Sequence, residues 1–179
     1  ITARDEHVPE IERFIRTIKE RVRANYTMLP FKYLPPILVI EMLYNAVLGC
    51  VFTVKGGISA TQSPSEIVLG RPLSFQNHCR VEYGQYVQTH EEHSNDMQER
   101  TLGAIATRPS NDSGAYYFIS LLTGRRINRK SWTPLHMPDT VANQVHRLAR
   151  RAKANKKLTF TNMDNVDLDE LYADLPYDD

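Results

Sequence analysis

One stretch of the sequence decides the fold: PILVIEMLYNAVLGCVFTV, residues 36–54. Apolar side chains occur all around its helical circumference, so a helix here has no polar face and must be buried. Glu41 and Asn45 lie inside the run, and each would cost free energy in lipid. The run therefore predicts a central core helix or subunit-contact helix, with a membrane-spanning helix as the less favoured alternative. A helix of this kind also needs a larger partner surface than the preceding segment offers.

Helices are predicted on both sides of this stretch. Upstream, Pro9 to about Tyr26 has proline at the first position and acidic residues in the first turn, where they suit the helix dipole. Downstream, Ser63-Pro64-Ser65-Glu66 predicts a capping box, and Gly70 ends the short helix that follows. Residues 71–77 are expected to be a connector. The upstream helix carries one apolar stripe, formed by Val8, Ile11, Ile15, Ile18 and Val22.

Residues 79–137 predict a small β-domain, because short aromatic and β-branched runs alternate there with turn signals. Strands are expected at 79–87, 102–107, 116–122 and 125–132, with a bulge at Gly84 and a tight turn at Thr123-Gly124. A basic helix capped by Thr140 is expected to follow. The expected fold class is therefore α+β, with helices followed by a curled sheet or small barrel.

Charge is distributed unevenly along the chain, although its 22 basic and 21 acidic residues nearly cancel. Residues 121–157 contain ten basic residues and one acidic residue, a net charge of +9. Residues 158–179 contain seven acidic residues and no basic residue, and this tail is expected to be mobile. The basic segment raises the possibility of a polyanionic partner, whereas the whole-chain charge does not decide the question.

Cysteine usage and the N-terminus limit the class of protein. Two cysteines, Cys50 and Cys79, are too few for a disulfide scaffold, which favours a reducing compartment. The polar N-terminus predicts that there is no signal peptide. Because the sequence has no initiating methionine, we expect it to be a piece of a longer protein.

The upstream helix also carries a mixed charged ridge. At helical spacing, the ridge residues fall within about 60° of azimuth: Glu12, Arg16, Lys19 and Arg23. Ordinary side-chain pairing on a solvated face explains this spacing most simply. The functional alternative is a metal-binding carboxylate beside a phosphate-binding strip. One carboxylate cannot hold a catalytic cation alone, so that alternative requires ligands elsewhere.

Four cations of the last predicted strand lie near aromatic residues: Arg125, Arg126, Arg129 and Lys130. Basic and aromatic side chains on a small β-domain are typical of nucleic-acid binding. An exposed edge strand protected by charge has the same pattern, and the sequence does not separate the two. Zinc-compatible side chains also occur, at His78, Cys79, His90 and His93, but their spacing does not favour a zinc site.

Two motifs resemble copia-type (Pseudoviridae-like) retrotransposon integrases. Residues 8–21, VPEIERFIRTIKER, resemble the last conserved helix of that family, in which a catalytic glutamate directly precedes arginine; the match places the glutamate at Glu12. Residues 63–72, SPSEIVLGRP, resemble the Thr/Ser-Pro-x-Glu…Gly-x-x-Pro stretch of the family. The β-domain then stands where such polyproteins carry an SH3-like domain. Val8-Pro9 replaces the Asn-Gly that usually precedes the helix, which makes Glu10 a rival candidate.

The resemblance implies a domain organisation. Residues 1–72 would be the C-terminal helical part of an RNase H-like integrase core, and residues 79–137 an SH3-like β-domain. Residues 140–157 would be a basic helix and residues 158–179 an acidic flexible linker. The two catalytic aspartates of the core would lie upstream of Ile1.

The resemblance also implies a function. The parent would be a DDE-type polynucleotidyl transferase that inserts element DNA into host DNA by end processing and strand transfer. Mg²⁺ or Mn²⁺ would be held by Glu12 and the two upstream aspartates, so this chain alone is expected to be inactive and to bind no metal. Arg16, Lys19 and Arg23 would position phosphates.

Partners and location follow from the same resemblance. The expected partners are element ends and target DNA, further integrase copies and the reverse transcriptase of the same polyprotein, with no membrane. The expected location is the cytoplasm, in virus-like particles, and the nucleus. The alternative is a non-catalytic DNA- or protein-binding module, either a domesticated remnant or a spacer before the reverse transcriptase.

Overall fold

The computed structural model describes residues 9–52, 59–70, 74–91, 97, 99–110 and 114–152. Helices in these ranges are α1 (Pro9–Met28), α2 (Pro36–Phe52), α3 (Pro64–Leu69), α4 (Phe75–His78) and α5 (Asp139–Arg151). Strands are β1 (Tyr86–His90), β2 (Thr101–Pro109), β3 (Tyr116–Ser120), β4 (Arg126–Arg129) and β5 (Trp132–Pro134). All five strands join one antiparallel sheet in the order β4-β3-β2-β1-β5. The predicted α+β class is confirmed.

The predicted central helix lies in the core. Leu38 and Met42 of α2 are at most 1% exposed and belong to the same buried cluster as residues of the sheet and α5. The helical and β regions therefore share one hydrophobic core. No helix in the described ranges is both long and apolar enough to cross a membrane. The buried members of the cluster are Phe31, Leu34, Leu38, Met42, Ile105, Ile119, Leu121, Val141 and Val145.

A second cluster closes the opposite face of the sheet. Val87, Tyr116 and Phe118 are at most 1% exposed there, and Trp132 packs against them. The Trp132 ring centroid lies 4.9 Å from that of Tyr116 and 5.3 Å from that of Phe118. Since β3 and β5 are three strand intervals apart, about 14 Å in a flat sheet, these contacts indicate that the sheet curls towards this face.

Only half of α1 is covered by the core. Val22 and Tyr26 pack against the first cluster. Ile11, Phe14 and Ile15 are 46–57% exposed, and no residue of the helix is fully buried. The apolar stripe predicted from sequence therefore exists as a helix face, but its N-terminal part has no cover among the described residues.

Local signals in the sequence fix two features as predicted. The hydroxyl of Ser63 accepts a hydrogen bond from the Glu66 N–H at 3.2 Å, and Gly70 ends α3 with φ 69°. The predicted bulge is also confirmed. Gly84, with φ 83°, donates its N–H to the Ala106 carbonyl at 2.8 Å, and the Ala106 N–H donates to the Gln85 carbonyl at 2.9 Å. Two residues thus face one, with glycine in the left-handed position of the bulge.

The predicted strands differ from the structure in two places. The first strand begins at Tyr86 rather than at residue 79, and it continues to His90, beyond the predicted end at residue 87. The predicted fourth strand, 125–132, divides into β4 and β5, because β4 pairs with β3 and β5 pairs with β1 at the other edge of the sheet. One continuous strand cannot occupy both edges.

The helices differ from prediction in smaller ways. Phe75–His78 forms a helical turn within the predicted connector. The N-cap of α5 is Pro138, not Thr140, and makes no side-chain cap. The predicted ends of α2 at 53–54 and of the basic helix at 153–157, together with the acidic tail 158–179, lie outside the described residues.

A buried carboxylate joins α2 to the sheet. Glu41, 2% exposed, accepts a hydrogen bond from Arg108 Nε at 2.7 Å and from a terminal nitrogen of Arg126 at 2.9 Å. The Arg108 guanidinium also lies over the rings of Tyr44 and Tyr117, at 5.0 and 4.5 Å. A carboxylate buried at this depth is tolerated only because both of its oxygens are paired.

A bulge in β2 aims Arg108 at this carboxylate. Ile105 faces the core shared with α2, and Ala106 faces the opposite cluster. Regular alternation would send Arg108 to the Ala106 side. The register shifts between Ala106 and Arg108, however, and Arg108 reaches Glu41 on the α2 side. The irregularity is therefore what allows the ion pair to form.

Replacing Glu41 with alanine is expected to destabilise the protein by about 3 kcal/mol, since truncating a buried pair leaves uncompensated charge. The measurement is the free energy of unfolding in urea. Glu91→Ala is the comparison variant. The Glu91 side chain, 24% exposed, pairs with Arg129 where water screens the charges, so its loss should be smaller than that of Glu41, which is 2% exposed. Equal losses in the two variants would contradict the assigned importance of Glu41.

Candidate nucleic-acid interface

The charged ridge predicted on α1 is present as a helical surface. Glu12, Arg16 and Lys19 are exposed, and Arg23 is half-buried. Glu12 and Arg16 lie in the half of α1 that the core leaves uncovered, whereas Arg23 follows Val22 in the half that packs against the core. Among the described residues, no group of three His, Cys, Asp or Glu side chains could hold a metal ion. Glu12 would thus need carboxylate ligands from outside these residues to form a metal site.

The four cations predicted as one DNA surface do not lie together. Arg126 and Arg129 are three positions apart in β4, so their side chains leave the sheet on opposite faces. Arg126 reaches towards α2 and Arg129 towards the end of β1. Arg125 precedes the strand and Lys130 follows it, and both are exposed. Their assignment to DNA binding stays a prediction, but it is no longer supported by a shared surface.

Two of these cations are engaged by carboxylates. Arg126 pairs with Glu41, as described above. Arg129 binds both oxygens of Glu91, Nε to Oε1 at 2.9 Å and a terminal nitrogen to Oε2 at 2.5 Å. The hydrogen bond from Arg129 holds the pKa of Glu91 below its usual range. Both arginines therefore have a structural role in tying the sheet to α2 and to the segment after β1.

A different basic surface lies on α5. Val141, Val145 and Leu148 are buried on one side of this helix. Three exposed arginines lie on the opposite side, within an arc of about 100°, and they precede the undescribed end of the basic segment: Arg147, Arg150 and Arg151. One face of α5 therefore packs in the core, and the opposite face presents the three arginines to solvent.

His146 connects this surface to the loop before α2. Its Nε2 accepts a hydrogen bond from the backbone N–H of Lys32 at 3.1 Å, and its ring meets that of Tyr33 edge-on at 5.7 Å. Partial burial lowers the pKa of His146, and the positive charges of Arg150 and Lys32 lower it further. These effects favour the neutral form of the ring, which has Arg150 of α5 and Lys32 of the loop before α2 as its cationic neighbours.

A cavity of about 270 Å³ lies between α1, α2 and α4. Its polar lining includes Arg21, Asn25, Asn45, His78 and Cys79. Burial raises the pKa of the Cys79 thiol, so the thiol is not activated as a nucleophile.

Two of the zinc-compatible side chains, His78 and His90, make ordinary hydrogen bonds. The His78 ring contacts the Ser74 carbonyl at 2.8 Å. The two ring nitrogens of His90 contact the hydroxyls of Ser131 and Thr133 at 2.9 and 3.1 Å. His93 lies outside the described residues. These contacts give His90 a role in joining β1 to the segment around β5.

No protein-family model, curated protein or solved structure matches this chain. The functional assignment therefore depends on the sequence motifs and on the geometry above. Sequence reasoning missed Glu41, Arg108, Lys32 and His146, whose partners are distant in the chain. The one available signal was an acidic residue inside the otherwise apolar run of α2.

Protonation of His146 is expected to reduce the stability of the fold. Because its pKa is lowered in the folded protein, the unfolded chain binds a proton first as the pH falls below about 6.5, the ordinary pKa of histidine. The stability that neutral His146 contributes to the fold is fully present above that pH, and it is lost as the pH falls towards the folded-state pKa of His146. Urea unfolding at pH 7.5 and 5.5 should show a larger loss for the natural protein than for His146→Gln, which keeps an acceptor but does not titrate.

Proposed function

We propose that this chain is the C-terminal part of a copia-type retrotransposon integrase and that it contacts DNA through phosphates. The observation that carries the proposal is the order of three features along the chain: Glu12 in the first turn of a long helix, the capped helix α3, and a five-stranded antiparallel sheet. The integrase resemblance expects all three in this order. Each feature alone is less specific than the series.

The exposed half of α1 supports this proposal. Ile11, Phe14 and Ile15 form an apolar face that the described residues leave uncovered, while the Glu12 ridge runs beside it. An apolar face of this kind is typical of packing against further protein. In the proposed parent, α1 would pack onto the rest of an RNase H-like core and present Glu12 to the metal site.

The sheet topology supports the SH3-like part of the proposal. β1 to β4 form a meander of neighbouring antiparallel strands, and β5 returns to pair with β1. The sheet also curls, as the contact of Trp132 with Phe118 indicates. A curled meander closed by a returning strand is what a small SH3-like barrel requires.

The chain's own residues do not fit a complete metal centre. A two-metal site needs several carboxylates around both ions, and the described residues contribute Glu12 alone. We therefore propose that the isolated chain is catalytically inactive and that its cations position phosphates, which fixes the register of the nucleic acid without reading bases.

A non-catalytic binding module is the second candidate function. The observation that favours it is the shared core of α2, α5 and the sheet, which buries residues such as Met42 and Val145 without using the exposed half of α1. A remnant or spacer would need only this core and its charged surface. Metal-dependent strand transfer by the longer protein would favour the integrase function, and its absence would favour the non-catalytic binding module.

In the longer protein, Glu12→Gln is expected to abolish DNA joining, whereas Glu10→Gln should leave most of it. The two glutamates lie about 200° apart around α1, so they cannot face one metal site. The measurement is joining of labelled DNA ends with Mn²⁺. The 179-residue chain is the negative control and should give no joined product. If Glu10→Gln abolished joining and Glu12→Gln did not, Glu10 would be the metal ligand. If the 179-residue chain joined DNA ends by itself, the proposal that the other metal ligands lie outside this chain would be wrong.

Deleting residues 158–179 is expected to strengthen DNA binding, because seven acidic residues compete with phosphates for the same cations. Fluorescence anisotropy with a labelled duplex measures the effect at several salt concentrations. A matched variant with the seven acidic residues replaced by their amides should behave like the deletion. Unchanged affinity in both variants would show that the tail does not shield the basic segment.

A further inference from the structure

The structure separates two groups of cations in the basic segment, one paired with carboxylates and one exposed on a helix. Arg126 and Arg129 are held by Glu41 and Glu91 and face opposite sides of the sheet. Arg147, Arg150 and Arg151 are exposed on one side of α5. A phosphate that used Arg126 or Arg129 would have to compete with a carboxylate at hydrogen-bond distance. A phosphate at α5 meets no such competitor in the contacts above.

The loop before α2 adds a further cation to the α5 surface. Lys32 is exposed and is anchored by the hydrogen bond from its backbone N–H to His146 at 3.1 Å. The positive charges of Lys32 and Arg150 both act on the His146 ring. Cations from two separate parts of the chain therefore converge beside one imidazole, which concentrates positive potential there.

Resting on the proposed function, we propose that Lys32, Arg147, Arg150 and Arg151 form the surface that contacts nucleic-acid phosphates, and that His146 positions Lys32 in it. The ligand is the phosphate backbone of duplex DNA, bound without base preference. The β4 arginines are then structural residues. His146 is a positioning residue, because it acts through the backbone of Lys32.

Salt dependence tests which cations contact phosphates. For duplex DNA, each contact contributes about 0.9 to the slope of log Kobs against log salt concentration. The 179-residue chain with Arg147 and Arg150 both changed to Gln should lose about 1.8 from this slope. The competing variant changes Arg125 and Lys130 to Gln, which removes the same charge from the exposed hairpin positions that the sequence predicts as DNA-binding. The proposed α5 surface requires this variant to lose less of the slope than the Arg147 and Arg150 variant.

The outcomes separate this inference from the proposed function. If the natural chain does not bind duplex DNA at low salt, both are wrong. If it binds and the hairpin variant loses as much slope as the α5 variant, or more, DNA binding stands and the α5 surface is wrong. Circular dichroism should show that both variants keep the fold, since all four side chains are exposed.

A double-mutant cycle tests the role of His146. Lys32→Gln and His146→Ala should each lower the slope by about 0.9, and the combined variant should lose no more than either one. His146→Gln should restore the natural slope, because the amide oxygen can accept the Lys32 N–H. Additive losses, or no rescue by glutamine, would show that His146 does not act through Lys32.

Discussion

The buried carboxylate of Glu41 is the interaction on which the arrangement of helices and sheet depends. It lies in the apolar helix α2 and binds guanidinium groups from β2 and β4. Leaving such a charge unpaired would cost several kcal/mol, so α2 can settle only where both arginines reach it. The Tyr83 hydroxyl adds a hydrogen bond to the Leu38 carbonyl at 2.5 Å, one turn earlier on α2. Burial raises the pKa of Tyr83, and the charge of Glu41 adds to that effect.

This constraint also decides the register of the sheet. If β2 and β3 paired without the bulge, Arg108 would point away from α2, and Glu41 would lose its most buried partner. A slip of one residue would also exchange Ile105 with Ala106 between the two clusters. Apolar packing and the Glu41 ion pair therefore favour the same strand register. A sequence specifies one structure when independent interactions of this kind agree.

The sequence predicted what is decided locally and missed what is decided across the chain. The Ser63 side-chain cap of α3 and the bulge at Gly84 involve neighbouring residues or a backbone conformation that glycine favours, and both are confirmed. The buried helix followed from composition alone. The partners of Glu41 lie 67 and 85 residues away, and Lys32 lies 114 residues from His146. The periodicity of residues within a segment carries no information about such distant pairs. The hairpin cations were therefore predicted as one surface, although Arg126 and Arg129 lie on opposite faces of the sheet.

The same separation of local from distant effects applies to α1. Within the described part of the chain, this 20-residue helix packs on the core through its second half, at Val22 and Tyr26. Glu12 lies ten residues before Val22, about 15 Å along the helix axis. Its position relative to the sheet is therefore carried by the continuity of the helix rather than by direct contact with the core. Further protein packed on the exposed face at Ile11 and Ile15 would remove apolar surface from water and hold the ridge in place. The stability of the described core and the placement of the proposed metal ligand are thus set by different halves of one helix.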